Sequence, residues 1–227
     1  MNPVELLAAL GSLVIIDLTL SGDNALVIGL AAHRLPPAQR RLAIVLGGAG
    51  AVVLRAALTT ATTLLFLIPA LKLVGGVLLA WIAFKLLKQE EEAEEGVAAA
   101  ATLWQAMRTI IAADFIMSLD NVLAIGGAAH GNVPLLVFGL VLSMGLVLFA
   151  GSLFAELINR WWWLAYVGAA VICFTAGQMI VEDDLVHAYL EDLPWLLYVG
   201  PLALVLVVVP AAHWFHRHRP GKPTPAA

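Results

Sequence analysis

One motif is written twice in this chain. Residues 17–33 read DLTLSGDNALVIGLAAH and residues 114–130 read DFIMSLDNVLAIGGAAH. The copies lie 97 residues apart in one register and agree at 10 of 17 positions, including Asp17/Asp114, Ser21/Ser118, Asp23/Asp120, Asn24/Asn121 and His33/His130. Such agreement marks an internal duplication, and the fold must accommodate two related halves. Each copy sets two carboxylates, a carboxamide and a hydroxyl inside a long apolar segment. Buried oxygens of this kind, in two related halves, point to a site for a hard cation within a membrane.

Composition supplies the membrane. The chain is 62% hydrophobic and 12% charged, against about 45–50% and about 25% in ordinary soluble domains. Its mean hydropathy is +0.94. Seven apolar stretches approach or exceed the roughly 20 residues that a spanning helix needs: about 5–32, 41–67, 70–87, 102–129, 134–158, 162–181 and 194–214. The expected fold is therefore an all-α polytopic membrane protein of about seven transmembrane helices. MNPVELL lacks the basic region of a signal peptide, so the first span is expected to stay. The single cysteine, Cys173, excludes a disulfide framework and a thiolate cluster.

The duplication also sets the organisation. LKLVGG at 71–76 matches LAYVGA at 164–169, now offset by 93. Each half then holds three spans, and an odd number makes the second half enter from the opposite side: an inverted-topology repeat. The expected segments are a first three-helix repeat (1–88), an acidic cytoplasmic linker (89–101) and a second, inverted three-helix repeat (102–182). An outer loop with a seventh, extra helix (183–214) and a cytoplasmic tail (215–227) follow. With the N-terminus outside, ten of the twelve Lys and Arg fall on the cytoplasmic side, the bias expected of a cell-membrane protein. Lys72 lies outside and Arg55 lies within the second span. Trp161, Trp162, Trp163, Trp195 and Trp214 fall at the interfaces, where an apolar ring with one N–H is favoured.

On an ideal helix, at about 100° per residue, Asp17, Ser21 and Asn24 share a face and Asp23 lies about 120° away. A regular helix cannot aim both carboxylates at one ion from a single stripe. Either Asp23 points into a space between three helices, or Gly22 lets the helix unwind. The second copy carries Leu119 in place of Gly22, which disfavours unwinding there.

Magnitudes weigh against a purely structural role for the acids. An interhelical hydrogen bond in a membrane contributes only about 0.6 kcal/mol on average. Each Asp at mid-span costs about 2.5–3.5 kcal/mol, so four cost roughly 10–14 kcal/mol. The donor set of Asp17, Asp23, Asn24, Asp114, Asp120 and Asn121, with Ser21 and Ser118 as auxiliaries, is all oxygen and suits Mn²⁺, Mg²⁺ or Ca²⁺. Four carboxylates cannot all stay charged unpaired in a low-dielectric site, so release is expected to couple to Asp protonation. His33 and His130 fall at opposite ends of the pathway, either to receive and release a borderline metal or to cap their helices. Arg55 has no twin, sits mid-span and needs an acidic partner or a watery vestibule. The run QEEEAEEG at 89–96 reads as a solvated linker. Acids at 182–184 and 191–192 flank the outer loop and are placed to attract cations. His213, His216 and His218 lie in a basic interfacial tail.

DLTLSGDN and DFIMSLDN resemble the paired D-x-x-x-S-x-D-N signatures of the TerC family of integral membrane proteins. The order of spans, the acidic linker and the HRHRP-type tail are most similar to its YjbE-like branch. The resemblance implies metal-ion homeostasis, chiefly manganese export, and the same six Asp and Asn residues as the metal site. The family name derives from tellurium resistance, and some members are proposed to supply metal to secreted enzymes.

The reading is then a transporter, not an enzyme, that exports a divalent cation, with Mn²⁺ foremost, by alternating access. The expected partners are the lipid bilayer and the transported metal, with no permanently bound cofactor and no nucleic acid. An oligomer and contact with secreted enzymes or secretion machinery stay open. No ATP-binding motif is present, so a gradient or a partner must drive transport. Two rivals remain. An intramembrane aspartyl protease needs one Asp on each of two helices, whereas each motif here carries two. A membrane scaffold assisting metallation, secretion or tellurite resistance is the other.

Overall fold

Apolar runs of these lengths, bounded by Pro and charge, leave the backbone little choice in a bilayer, where each N–H and C=O must find its partner within the segment. The computed structural model describes residues 3–61, 68, 70–94, 102–128, 133–190 and 195–217. Among these, all regular structure is α-helical: α1 (Pro3–Leu20), α2 (Asn24–Ala32), α3 (Pro37–Thr60), α4 (Leu71–Glu94), α5 (Leu103–Ala128), α6 (Val133–Arg160), α7 (Trp163–Val181), α8 (Asp184–Leu190) and α9 (Leu196–Arg217). Pro37 opens α3, where a missing N–H removes nothing from the helix. Pro201 and Pro210 lie inside α9.

Among the described residues three helices, Pro37–Thr59, Pro134–Arg160 and Trp163–Val181, are long and apolar enough to cross a membrane. The pair Leu6–Leu20 and Asn24–Ala32, bent by 59°, makes a fourth. α4 and α5 are comparably long, but their apolar sequence is interrupted by Lys72, Lys85 and Lys88, and by Arg108, Asp114 and Asp120. The apolar part of α9, Leu196–Ala212, is shorter. The segment between α7 and α9 also holds the short α8, which apolar periodicity did not anticipate.

The helices pack mainly across the duplication. α3 lies on α5, and α6 lies on α1 and α2. α4 packs on α7, α3 on α6, and α5 on both parts of the broken first span. α4 against α5 is matched by α7 against α2. Exchanging the halves maps each of these pairs onto another or onto itself. α9 covers α7 and α4 outside that pattern. Close approach relies on small residues, as is usual between membrane helices. A Cβ on Gly76 would stand 2.6 Å from the Ala176 carbonyl oxygen, and one on Gly177 would stand 2.5 Å from Pro201 Cα.

Burial is arranged as a bilayer requires. Phe149 (71%), Val53 (71%) and Leu206 (73%) are exposed apolar side chains, while Asp17, Ser21, Ser118 and Ser143 are fully enclosed. Arg55 is among the largest wholly buried side chains.

Candidate cation site between the repeated motifs

The first motif breaks its helix. α1 ends at Leu20, the chain turns through Ser21, Gly22 and Asp23, and α2 resumes at Asn24. The Asn24 N–H donates to the Ser21 carbonyl at 3.1 Å, and the Leu26 N–H to that of Asp23 at 3.0 Å. Gly22 is the weak helix former at the break. The second motif has Leu119 there, and α5 runs unbroken from Leu103 to Ala128. At the break Asp23 faces α7, where the Thr175 hydroxyl donates to its Oδ2 at 2.9 Å.

The motif helices touch in antiparallel fashion. Asn24 Nδ2 donates to Asp114 Oδ1 at 3.2 Å, while Asn121 Nδ2 donates to the Leu20 carbonyl at 3.3 Å. One index falls as the other rises.

Arg55 joins the two copies. Its Nη1 donates to Asp17 Oδ1 at 2.5 Å and to Ser21 Oγ at 2.9 Å, and its Nη2 donates to Asp114 Oδ1 at 2.6 Å. The exposures are 2% for Arg55, 0% for Asp17 and 4% for Asp114. The acidic partner that Arg55 needs is thus present twice, once in each motif. Serines take the outer carboxylate oxygens: Ser143 donates to Asp17 Oδ2, and Ser118 to Asp114 Oδ2 at 3.3 Å. Ser21 also donates to Asp17 Oδ1 at 3.2 Å. Among the described residues, Asn24 Oδ1 and Arg55 Nε are buried without a hydrogen-bond partner.

The packing register identifies the place equivalent to Arg55. Gly47 abuts Ile110, and Gly139 abuts Leu13. Ile110 and Leu13 are motif equivalents, so Gly47 corresponds to Gly139 and Arg55 to Val147, which is buried. By the same register Ser143 corresponds to Ala51. The backbone frame is repeated, but the guanidinium is supplied once.

Asp17, Asp114, Asn24, Ser21, Ser118 and Arg55 are therefore brought together, and Asp23 stands apart on Thr175. The side chain of Asp120 and all of His130 lie outside the described residues. Among the described residues, no three His, Cys, Asp or Glu side chains are grouped closely enough to hold a metal. His33 caps the end of α2. Its Nδ1 lies 2.9 Å from the Leu30 carbonyl, and its own carbonyl accepts from Asn159 and Arg40 at 3.0 Å each. Asp183 is not a free surface acid: it is buried and accepts from the Leu73 and Leu185 N–H groups at 2.9 and 3.1 Å. Residues 191–192 and His218, and the side chains of His213 and His216, lie outside the described residues. Sequence reasoning missed Ser143 and Thr175. The available signal was an aliphatic hydroxyl deep in each apolar run, in VLSMG and CFTAG, weighed by the rule already applied to the acids.

Residues 3–220 match the model of the integral membrane protein TerC family. The chain is 35% identical to the membrane protein YjbE of Bacillus subtilis (strain 168) over 213 residues, covering 94% of this chain and 97% of that protein. It is 29% identical to the inner membrane protein YgdQ of Escherichia coli (strain K12) over 197 residues, 79% of this chain and 82% of YgdQ. It is 28% identical to the Escherichia coli (strain K12) inner membrane protein YoaE, over 76% of this chain and 36% of YoaE. No solved structure matches the chain.

Proposed function

This chain belongs to the TerC family of integral membrane proteins, and on that premise we propose that it is a membrane transporter exporting a divalent metal cation, Mn²⁺ foremost. One observation carries the reading: a buried carboxylate from each motif copy, Asp17 and Asp114, shares a single cationic group where antiparallel helices cross. Asp17, Asp114, Asp23 and Asp120 supply the charge that a cation needs. Asn24 and Asn121 supply neutral oxygens, and Ser21 and Ser118 hold the carboxylates in place. Asn24 Oδ1, buried and without a partner among the described residues, is an acceptor already desolvated. An all-oxygen shell suits Mn²⁺, and Mg²⁺ gives up its water reluctantly in a narrow site.

The exchange pattern of helix contacts and the antiparallel motif helices support an inverted repeat with seven spans. In that arrangement the N-terminus lies outside and the C-terminus in the cytoplasm. Rocking of one half against the other would open the shared site to each side in turn. An aspartyl dyad, by contrast, needs two carboxylates that share a proton. Here a guanidinium lies on both, which favours an ion path over proteolysis. The test is uptake into proteoliposomes across a panel of divalent metals, with manganese content in cells lacking the protein. Manganese should accumulate in the deletion cells under excess. Unchanged content, with no redundant exporter, would sink the export reading.

A further inference from the structure

We propose that Arg55 is a tethered cation occupying the metal site itself, so that ion and arginine alternate there; the inference rests on the transport reading above. The structure leaves no carboxylate oxygen of Asp17 or Asp114 uncommitted. Asp17 Oδ1 accepts from Arg55 and Ser21, and its Oδ2 from Ser143. Asp114 Oδ1 accepts from Arg55 and Asn24, and its Oδ2 from Ser118. The two oxygens that an incoming ion would have to share are the two that the guanidinium holds.

Charge gives the same exclusion. Two carboxylates and one guanidinium leave one formal negative charge. Two carboxylates and a divalent ion are neutral. A guanidinium and a divalent ion held side by side on those same two oxygens would repel each other strongly in a poorly screened interior, and Asp23, held apart by Thr175, does not lie between them. A guanidinium is also the natural occupant of a site between two carboxylates, because its planar fork can donate to both at once. Its absence from the second half, where Val147 stands at the equivalent place, means that one group serves the whole site. Among the described residues Arg55 Nε is buried without a hydrogen-bond partner, so this seat leaves one donor of the arginine unused there. With Arg55 in place the Asp pair is stabilised while empty. With Arg55 withdrawn it is an open anionic site. Return of Arg55 then helps to expel the ion on the release side.

This sets a measurable penalty. Apparent affinity falls by the fraction of molecules with Arg55 withdrawn. A minor state populated at about 10% or less means that removing the arginine tightens binding by about tenfold or more. The experiment is Mn²⁺ binding by calorimetry and Mn²⁺ uptake in proteoliposomes, for the wild type, Arg55→Gly and Arg55→Lys. Arg55→Gly should bind about tenfold tighter or better and transport more slowly, because release loses its competitor. Millimolar guanidinium ion, filling the vacated seat, should weaken binding to Arg55→Gly and leave the wild type unaffected. Arg55→Lys keeps the charge but not the two-armed bridge and should fall between, so it tests the idea even if the glycine variant fails to fold. Unchanged or weaker binding in both variants, with wild-type transport intact, overturns the alternation alone. Absence of divalent-cation binding and transport in the wild type overturns the transport reading and this inference with it.

Discussion

Asp17 and Asp23 belong to one motif copy but answer to different neighbours. Asp17 is enclosed against Arg55, Ser21 and Ser143, whereas Asp23 faces Thr175 across the break. Substitution by Asn therefore has two different consequences. Asp17→Asn removes one partner of a buried guanidinium, a change that destabilises by about 3–5 kcal/mol when the remaining charge is left uncompensated. Asp114 still partners Arg55, so the lower end of that range is expected. Asp23→Asn keeps an oxygen to accept from Thr175 and should stay within about 1 kcal/mol of the wild type. Both should abolish or sharply slow metal transport. Thermal unfolding in detergent, run beside the transport assay, separates them. Equal loss of stability in the two variants would mean that the Arg55 bridge carries no weight in the fold. The bridge was half legible in the sequence: an unpaired mid-span Arg among four Asp called for one of them or for a watery vestibule. That it takes one from each copy depends on the α3–α5 packing register, which no local pattern reveals. The hydroxyls of Ser143 and Thr175 were hidden for a related reason, since a single Ser or Thr in an apolar helix commonly satisfies itself on its own backbone.

The break in the first motif helix is an asymmetry built into a duplicated element. Gly22 differs from Leu119, and α1–α2 bends by 59° where α5 continues. A Cβ at Gly22 would meet only the Leu18 carbonyl oxygen, at 3.5 Å, so alanine fits without a clash. Gly22→Ala then acts through helix propensity alone, worth about 1 kcal/mol in favour of continuing the helix. The variant should be as stable as the wild type or slightly more so, and slower in transport, because straightening would carry Asp23 away from Thr175. Unaltered transport would show that the bend is incidental. The helix positions themselves were legible, since long apolar runs bounded by Pro and charge can do little else in lipid. Whether Gly22 would unwind was not. Propensity at one residue is a small bias that tertiary contacts, here Thr175 and the motif crossing, decide either way. The short α8 was missed because its stability comes from the buried Asp183 cap and not from a periodic apolar face.

At the scale of the whole molecule, the relation between the halves generates the site, and it makes a topological prediction. The motif helices run antiparallel where they touch, and in the proposed inverted repeat the chain leaves the first motif on one side of the membrane and the second on the other. With the N-terminus outside, residues 36–39 after the first motif face the cytoplasm, as does the Trp161–Trp163 corner, while Ile68 and Glu182 face outwards. The excess of Lys and Arg near the first two places favours that orientation. Cys173 is the sole cysteine and is buried, so Cys173→Ala gives a background without thiols. Single cysteines placed at Gln39, Ile68, Trp161 and Glu182, all exposed, then report sidedness. A membrane-impermeant maleimide should label positions 68 and 182 in intact cells, and positions 39 and 161 only after permeabilisation. Labelling of 39 and 182 from the same side would overturn the inverted repeat. The reverse pattern at all four positions would keep the repeat and place the N-terminus in the cytoplasm.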